Sequence, residues 1–296
     1  MEPRREDTET NGSALLARDV TKRYGSVAAL SGVSFDIGPG EAVALWGPNG
    51  AGKTTILRCI LGLARYTGEI RVEGHDPRRD GRAVRRAIGY VPQSLPVSPM
   101  TVGEMVSFVA ALKRTERDAA MERLASLGIA DQRDKAISAL SGGMKQRLAL
   151  ALALIGSPRI LLLDEPTANL DARGRAELLD LLSGLNREGL TILFSSHRPD
   201  DVLALAQRIL MIERGKVQRD ATPAQFREAL GAANLVVALK NGHLREAVET
   251  LVGLGYEATG SGHVLTVQIP VREKARVISH LARQGIEIDD FEMERL

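Results

Sequence analysis

An α/β fold with a helical insertion and a second, smaller α+β unit is predicted for this chain by three observations. Short strand candidates recur at 31–37, 41–46, 68–72, 88–91, 160–163, 191–195 and 209–213, and several of them are β-branched or Leu-rich runs without alternation, the pattern of strands covered on both faces. Between Gln93 and Pro158 the strand signals vanish and helical periodicity replaces them. Beyond residue 231 the elements follow the order β-α-β-β-α-β, a split βαβ or ferredoxin-like arrangement.

Taken in order, residues 1–13 are charged and polar and read as a disordered tail, not as a signal peptide. Strands are expected at 14–20 and 31–37 and, after the Gly38-Pro39-Gly40 turn, at 41–46. A helix over 53–61 precedes strands at 68–72 and 88–91. Helices at 101–113, 116–127 and 143–155 form a helical subdomain over about residues 94–157, and Pro158 stops the last of them. Strands at 160–163, 191–195 and 209–213, with a helix at 173–188, complete a first domain over 14–222. A linker at 223–231 leads to a small domain at 232–296.

Composition narrows the functions. The formal net charge is +2 and aromatics make up 3% of the chain, so neither a basic stripe nor stacking platforms point to nucleic acid, and no nucleic-acid partner is expected. The one cysteine, Cys59, rules out an intrachain disulfide and suits a reducing compartment. It reads as a small buried hydrophobe. The longest apolar stretch, 148–155, is far short of the roughly 20 residues that cross a bilayer, so a membrane role would come through another chain. Arg78, Arg79, Arg82, Arg85 and Arg86 read as a solvated helix face, with a contact with acidic lipid or a partner as the alternative. His243, His263 and His280 fit no metal-ligand spacing.

Chemistry concentrates in three motifs. Gly47-Pro48-Asn49-Gly50-Ala51-Gly52-Lys53-Thr54 fits G-x-x-x-x-G-K-[ST], lies after a predicted strand and opens a predicted helix. Glycines let backbone N–H groups turn toward phosphate oxygens, and the helix N-terminus adds positive potential. Lys53 suits the β- and γ-phosphates and Thr54 suits Mg²⁺, with Thr55 next in the same turn. Ile160-Leu161-Leu162-Leu163-Asp164-Glu165 is an apolar strand ending in two carboxylates. Asp164 suits the Mg²⁺ shell, and Glu165 is the general-base candidate. Leu140-Ser141-Gly142-Gly143-Met144 opens a strong helix and makes a second anion cradle. One chain has little use for two γ-phosphate cradles unless the second serves a nucleotide bound by another copy.

In this order and spacing the three motifs resemble the nucleotide-binding domain of ABC ATPases, over roughly residues 15–216. The resemblance implies a P-loop (RecA-like) core with a helical subdomain, and ATP with Mg²⁺ as cofactors. It also implies roles for further residues. Tyr24 stands where the family stacks an aromatic on adenine. Gln93, in Tyr90-Val91-Pro92-Gln93, matches the glutamine that senses Mg²⁺ and the attacking water. Asp171, in Ala168-Asn169-Leu170-Asp171, matches the loop that communicates across the dimer, and His197 matches the histidine that touches the γ-phosphate. Two copies, or paired cassettes, are implied to sandwich two ATP, with Ser141, Gly142 and Gly143 of one facing the ATP on Lys53 of the other. The motion would pass to a membrane permease on a separate chain, which places this chain on the cytoplasmic face of the membrane. Met144 stands where glutamine is usual, and with the basic residues after it resembles cassettes of exporter-like, ABC-2-type systems. A soluble ABC ATPase of ribosomes or DNA is the alternative. Such relatives carry two cassettes or a long coiled coil, and this chain shows neither. A non-hydrolysing regulator is disfavoured by Lys53, Asp164, Glu165 and His197 together.

Overall fold

In the computed structural model, residues 12–95, 98–240, 242–270 and 273–295 are described, so residues 1–11 of the expected tail lie outside them. The chain divides into two compact units, the first ending at Ala221 and the second beginning at Thr222.

In the first unit, β1 (Leu15–Tyr24), β2 (Val27–Ile37) and β4 (Thr67–Val72) form an antiparallel sheet in the order β2-β1-β4. A six-stranded sheet runs β5-β6-β7-β3-β8-β9, built from β3 (Ala42–Trp46), β5 (Ile88–Val91), β6 (Ile160–Asp164), β7 (Thr191–Ser196), β8 (Arg208–Glu213) and β9 (Lys216–Ala221). Its first five strands pair in parallel. Every residue of β6 and β7 is buried, which is why their apolar runs do not alternate. Because β3, β6 and β7 are parallel neighbours, the segments that follow them emerge at one edge of the sheet, the carboxyl edge where open α/β sheets bind ligands.

Helix α1 (Lys53–Ile60) follows β3 directly. The insertion is helical as expected, with α3 (Val102–Lys113), α4 (Arg117–Ser126) and α5 (Gly142–Leu154). Thr101 and Glu104 close a capping box on α3. At the other end of α3, Lys113 donates to the carbonyls of Arg85 (3.0 Å) and Ile88 (3.2 Å), at the end of α2 (Gly81–Ala87). Burial lowers the pKa of that ammonium, which nonetheless sits where a helix C-terminus favours a cation. Cys59 is fully buried, and burial pushes its thiol up to about 11, so it stays a thiol near neutrality.

Some elements were not anticipated. Helix α7 (Pro199–Leu205) has seven residues, too few to display a period. Strand β9 is an exposed, polar edge that pairs antiparallel with β8 and whose Asp220 takes a forked bond from Arg208. In the turn between them, Gly215 donates to Ala51 O and accepts from Ser31 N. The expected linker at 223–231 is instead helix α8 (Pro223–Leu230), with a Thr222–Gln225 capping box and proline in its first turn. It carries the fully buried Phe226 and belongs to the second unit. The linker reading overlooked this start signal because the helix is short.

The second unit continues with β10 (Ala232–Leu239), α9 (Leu244–Gly253), β11 (Glu257–Ser261), β12 (Val264–Pro270), α10 (Lys274–Arg283) and β13 (Ile288–Arg295). The sheet order is β11-β12-β10-β13, antiparallel throughout, which is the ferredoxin-like order. Leu235, Val237 and Leu239 alternate into a core with Leu265, Val267 and Ile269, against Ala247 and Leu251 of α9 and Val277 and Leu281 of α10. Leu251→Ala should cost this unit about 2–5 kcal/mol, read as earlier urea unfolding with faster amide exchange in β10 and β12. Val252→Ala, at an exposed neighbour, should stay within about 0.5 kcal/mol.

Candidate functional site

The loop between β3 and α1 needs glycine for two local reasons. A Cβ at Gly47 would lie 2.1 Å from Ile212 O, so no side chain fits against β8. Gly52, with φ of 109°, starts α1 from the left-handed region and passes close to Ala29 O. The loop folds over the Lys53 ammonium, which donates to Gly47 O (2.6 Å) and Pro48 O (3.2 Å). Lys53 is 6% exposed, so these carbonyls and a nearby anion compensate a nearly buried charge.

That anion is Glu165, one residue beyond β6. Its Oε1 lies 3.3 Å from Lys53 Nζ in a geometry that makes no hydrogen bond, and its Oε2 lies 2.9 Å from His197 Nδ1. The Glu165 backbone has φ of +47°, uncommon for a residue with a side chain, and its N–H donates to Ser195 Oγ (2.8 Å). The same hydroxyl donates to Asp164 Oδ1 (2.8 Å), which also accepts from Thr54 Oγ1 (3.0 Å). Thr54 at the start of α1 and Ser195 of β7 therefore meet at one carboxylate oxygen at the end of β6. Burial first, and then the charge of Asp164, push the Tyr90 phenol upward.

Asn49, Gly50, Ala51, Gly52, Lys53, Thr54, Thr55, Gln93 and Glu165 line one cavity of about 180 Å³. Asn169 Nδ2 donates to Gln93 O (3.4 Å), linking the two loops there. Other expected site residues lie elsewhere. Tyr24 is 48% exposed at the end of β1, outside the cavity lining, with the Lys22 ammonium 4.5 Å from its ring centroid. Ser141 caps α5 by accepting from Met144 N (3.3 Å), and Gly142 begins that helix. Ser141 and Gly143 line a second cavity of about 190 Å³, with Met144 and Leu170. Asp171 caps α6 (Ala172–Arg187) by accepting from Gly174 N (2.8 Å).

Sequence reasoning missed four residues. Ala29 lines the main cavity. Ser195 orients both carboxyl-bearing residues, and only the pairing of β6 with β7 discloses that. Thr167, just beyond Glu165, donates to Asp201 Oδ2 in α7, and both residues are buried. Among the described residues Asp201 Oδ1 has no hydrogen-bond partner, and Arg198 Nε lies 3.8 Å from Oδ2. The bond thus pins the segment after the carboxylates to the helix that follows His197.

A lysine wrapped by a glycine-rich loop, beside a carboxylate pair at the end of a parallel strand one strand removed in the sheet, defines a P-loop nucleoside triphosphatase. Comparison with known proteins narrows the class. The family described as ABC transporter matches residues 30–168. The daunorubicin resistance ATP-binding protein DrrA3 of Streptomyces coeruleorubidus is 34% identical over 292 residues, covering 96% of this chain and 92% of that protein. The Nod factor export ATP-binding protein I of Rhizobium etli is 36% identical over 256 residues, covering 84% and 80%. Among solved structures, CbiO1 from Clostridium perfringens, part of the ABC transporter complex cbiONQ, matches at TM-score 0.67 and 28% identity, covering 83% of this chain and 98% of that one. A dimeric bacterial ABC transporter cassette matches at TM-score 0.65 and 30% identity, covering 71% and 98%. The chain belongs to the ATP-binding subunits of ABC transporters, and its activity is the binding and hydrolysis of ATP. Among the described residues no helix is long and apolar enough to cross a membrane.

Thr167→Val should leave the buried Asp201 carboxylate without its donor and cost about 1–3 kcal/mol in denaturant unfolding, whereas Thr167→Ser should recover most of that loss.

Proposed function

We propose that two copies of this chain close around two ATP molecules and drive export through a membrane subunit on a separate chain, from the cytoplasmic face. The observation that carries the pairing is the separation of the two cradles. Lys53 lines one cavity of the chain while Ser141 and Gly143, at the start of α5, line another, so the second cradle is free to face a nucleotide held by another copy. Export is supported by a daunorubicin resistance relative whose match extends over 96% of the chain and by the Nod factor export relative. In this reading residues 14–222 are the ATPase domain and 232–296 an accessory domain.

Within the site, Thr54 Oγ1 and Asp164 Oδ1 lie 3.0 Å apart beside the phosphate loop, a hard-oxygen pair that fits Mg²⁺, with Gln93 facing the same cavity. Among the described residues no cluster of three His, Cys, Asp or Glu competes as a metal cage, as suits an ion shared with phosphate. Mg²⁺, when bound, neutralises charge on the β- and γ-oxygens. Lys53 takes up phosphate oxygens as further anionic partners, which frees Glu165 Oε1 to accept a proton from the attacking water. His197 holds Oε2, and in this reading its ring touches the γ-phosphate. Tyr24 stacks on the base from outside the phosphate cavity, and Asp171 contributes at the paired interface.

Glu165→Gln should lower ATP turnover about 10²–10⁴-fold while ATP binding persists, and should trap an ATP-dependent dimer on size exclusion. Near-native turnover would remove Glu165 from the role of base. Tagged chain recovered from detergent-solubilised native membranes should carry a stoichiometric multi-span protein. Ribosomal or DNA-repair partners in its place would move the function to the soluble ABC ATPases.

A further inference from the structure

Five arginines fall between Arg78 and Arg86, and the structure separates one from the other four. Arg78 forks onto Asp76, with Nη2–Oδ2 at 2.9 Å and Nε–Oδ1 at 3.1 Å, and its guanidinium lies 4.7 Å from the centroid of the Tyr66 ring. Arg79, Arg82, Arg85 and Arg86 are exposed, and among the described residues no carboxylate lies within 4.0 Å of them. Asp80, the acid within the run, is engaged elsewhere. Its Oδ2 accepts from Asp76 N and lies 3.9 Å from His75 Nδ1.

On α2, positions 82, 85 and 86 are spaced i, i+3 and i+4 and share one face, while Val84 is buried on the other. Arg79 lies two residues before the helix and is exposed as well. Like charges at this spacing destabilise a helix, so the chain keeps an arrangement that repels itself. In the loop that meets Pro77, just ahead of the run, stands Leu63, 72% exposed and the most exposed large hydrophobic among the described residues. Gly62 packs against Pro77, where a Cβ would come within 2.9 Å of Pro77 O, so the Leu63 loop abuts the start of the arginine run.

We propose that the outer face of α2, together with Leu63, docks on the anionic phosphate headgroups of a phospholipid bilayer. Guanidinium groups pair bidentately with phosphate oxygens, and four of them spread over an open surface match an array of phosphates, not one ion in a pocket. An exposed aliphatic side chain at the rim of such an array inserts among the headgroups. Nucleic acid is the weaker fit, because no aromatic side chain is exposed within the run to stack on bases. The inference stands apart from the transporter reading. The purified chain should bind lipid without any membrane subunit, so failure here would leave that reading untouched.

The test is co-sedimentation of the full-length chain with vesicles of phosphatidylcholine alone, or of phosphatidylcholine with about one third phosphatidylglycerol. Binding is expected to the mixed vesicles only, and to fall steeply as salt rises and the surface charge is screened. R79Q/R82Q/R86Q should weaken partitioning about a hundredfold, on the order of fivefold per arginine, while the ATPase rate of the soluble variant stays native. Leu63→Ser should weaken it several-fold. Equal binding to both vesicle types, or undiminished binding by the triple variant, overturns the proposal. So does a chain that ignores both vesicle types yet loses a co-purifying membrane protein on the same substitutions, which would assign the face to a protein partner.

Discussion

A nearly buried ammonium organises the catalytic edge of the first unit. Lys53 cannot keep its charge away from water without compensating dipoles and an anion. The loop supplies the carbonyls of Gly47 and Pro48 by folding back over its own lysine, and that fold-back requires glycine where β8 presses in. The anion must come from another strand. Glu165 reaches Lys53 because β6 ends at the same edge as β3, with β7 between them. Strand order, loop shape and the position of the carboxylates are thus three solutions to one electrostatic demand. The left-handed backbone at Glu165 is where the demand becomes visible as strain, in a residue held by Ser195 from behind and by His197 from the front.

How much of this was legible in the chain depends on sequence distance. The phosphate loop could be read outright, because the strand, glycines, lysine and helix start are consecutive and each answers a local requirement. The core strands were legible for a related reason. Burial on both faces removes polar residues from short runs such as 160–163, so the unbroken apolar run itself marks the strand. Ser195, Thr167 and Asp201 were not legible. A serine at a strand end and an aspartate in a seven-residue helix are ordinary until the fold brings them to residues about thirty positions away. The edge strand β9 was missed because it satisfies its backbone on one side and leaves its side chains in solvent, so its composition resembles a loop.

The second unit is built by a different rule. Its sheet is antiparallel with a helical layer against one face, so alternation marks the core: Leu235, Val237 and Leu239 point inward while the residues between them are only partly covered. That alternation, with two amphipathic helices in the right places, made the ferredoxin-like order readable before any pairing was known. Its start was less clear. Helix α8 carries a complete capping box, yet a helix of eight residues between two domains looks like connecting chain unless its cap is weighed above its length.

The turn joining β8 and β9 lies on the phosphate loop: Gly215 donates to Ala51 O and accepts from Ser31 N. Surface hairpin turns are the usual places to open a chain for permutation or to insert a reporter, since their ends are close and their backbone is solvated. This one is a buttress, stitched on one side to the nucleotide cradle and on the other to the antiparallel sheet. A protein engineer who cut here would not be trimming an ornament from the edge of the sheet but loosening the loop that wraps the Lys53 ammonium.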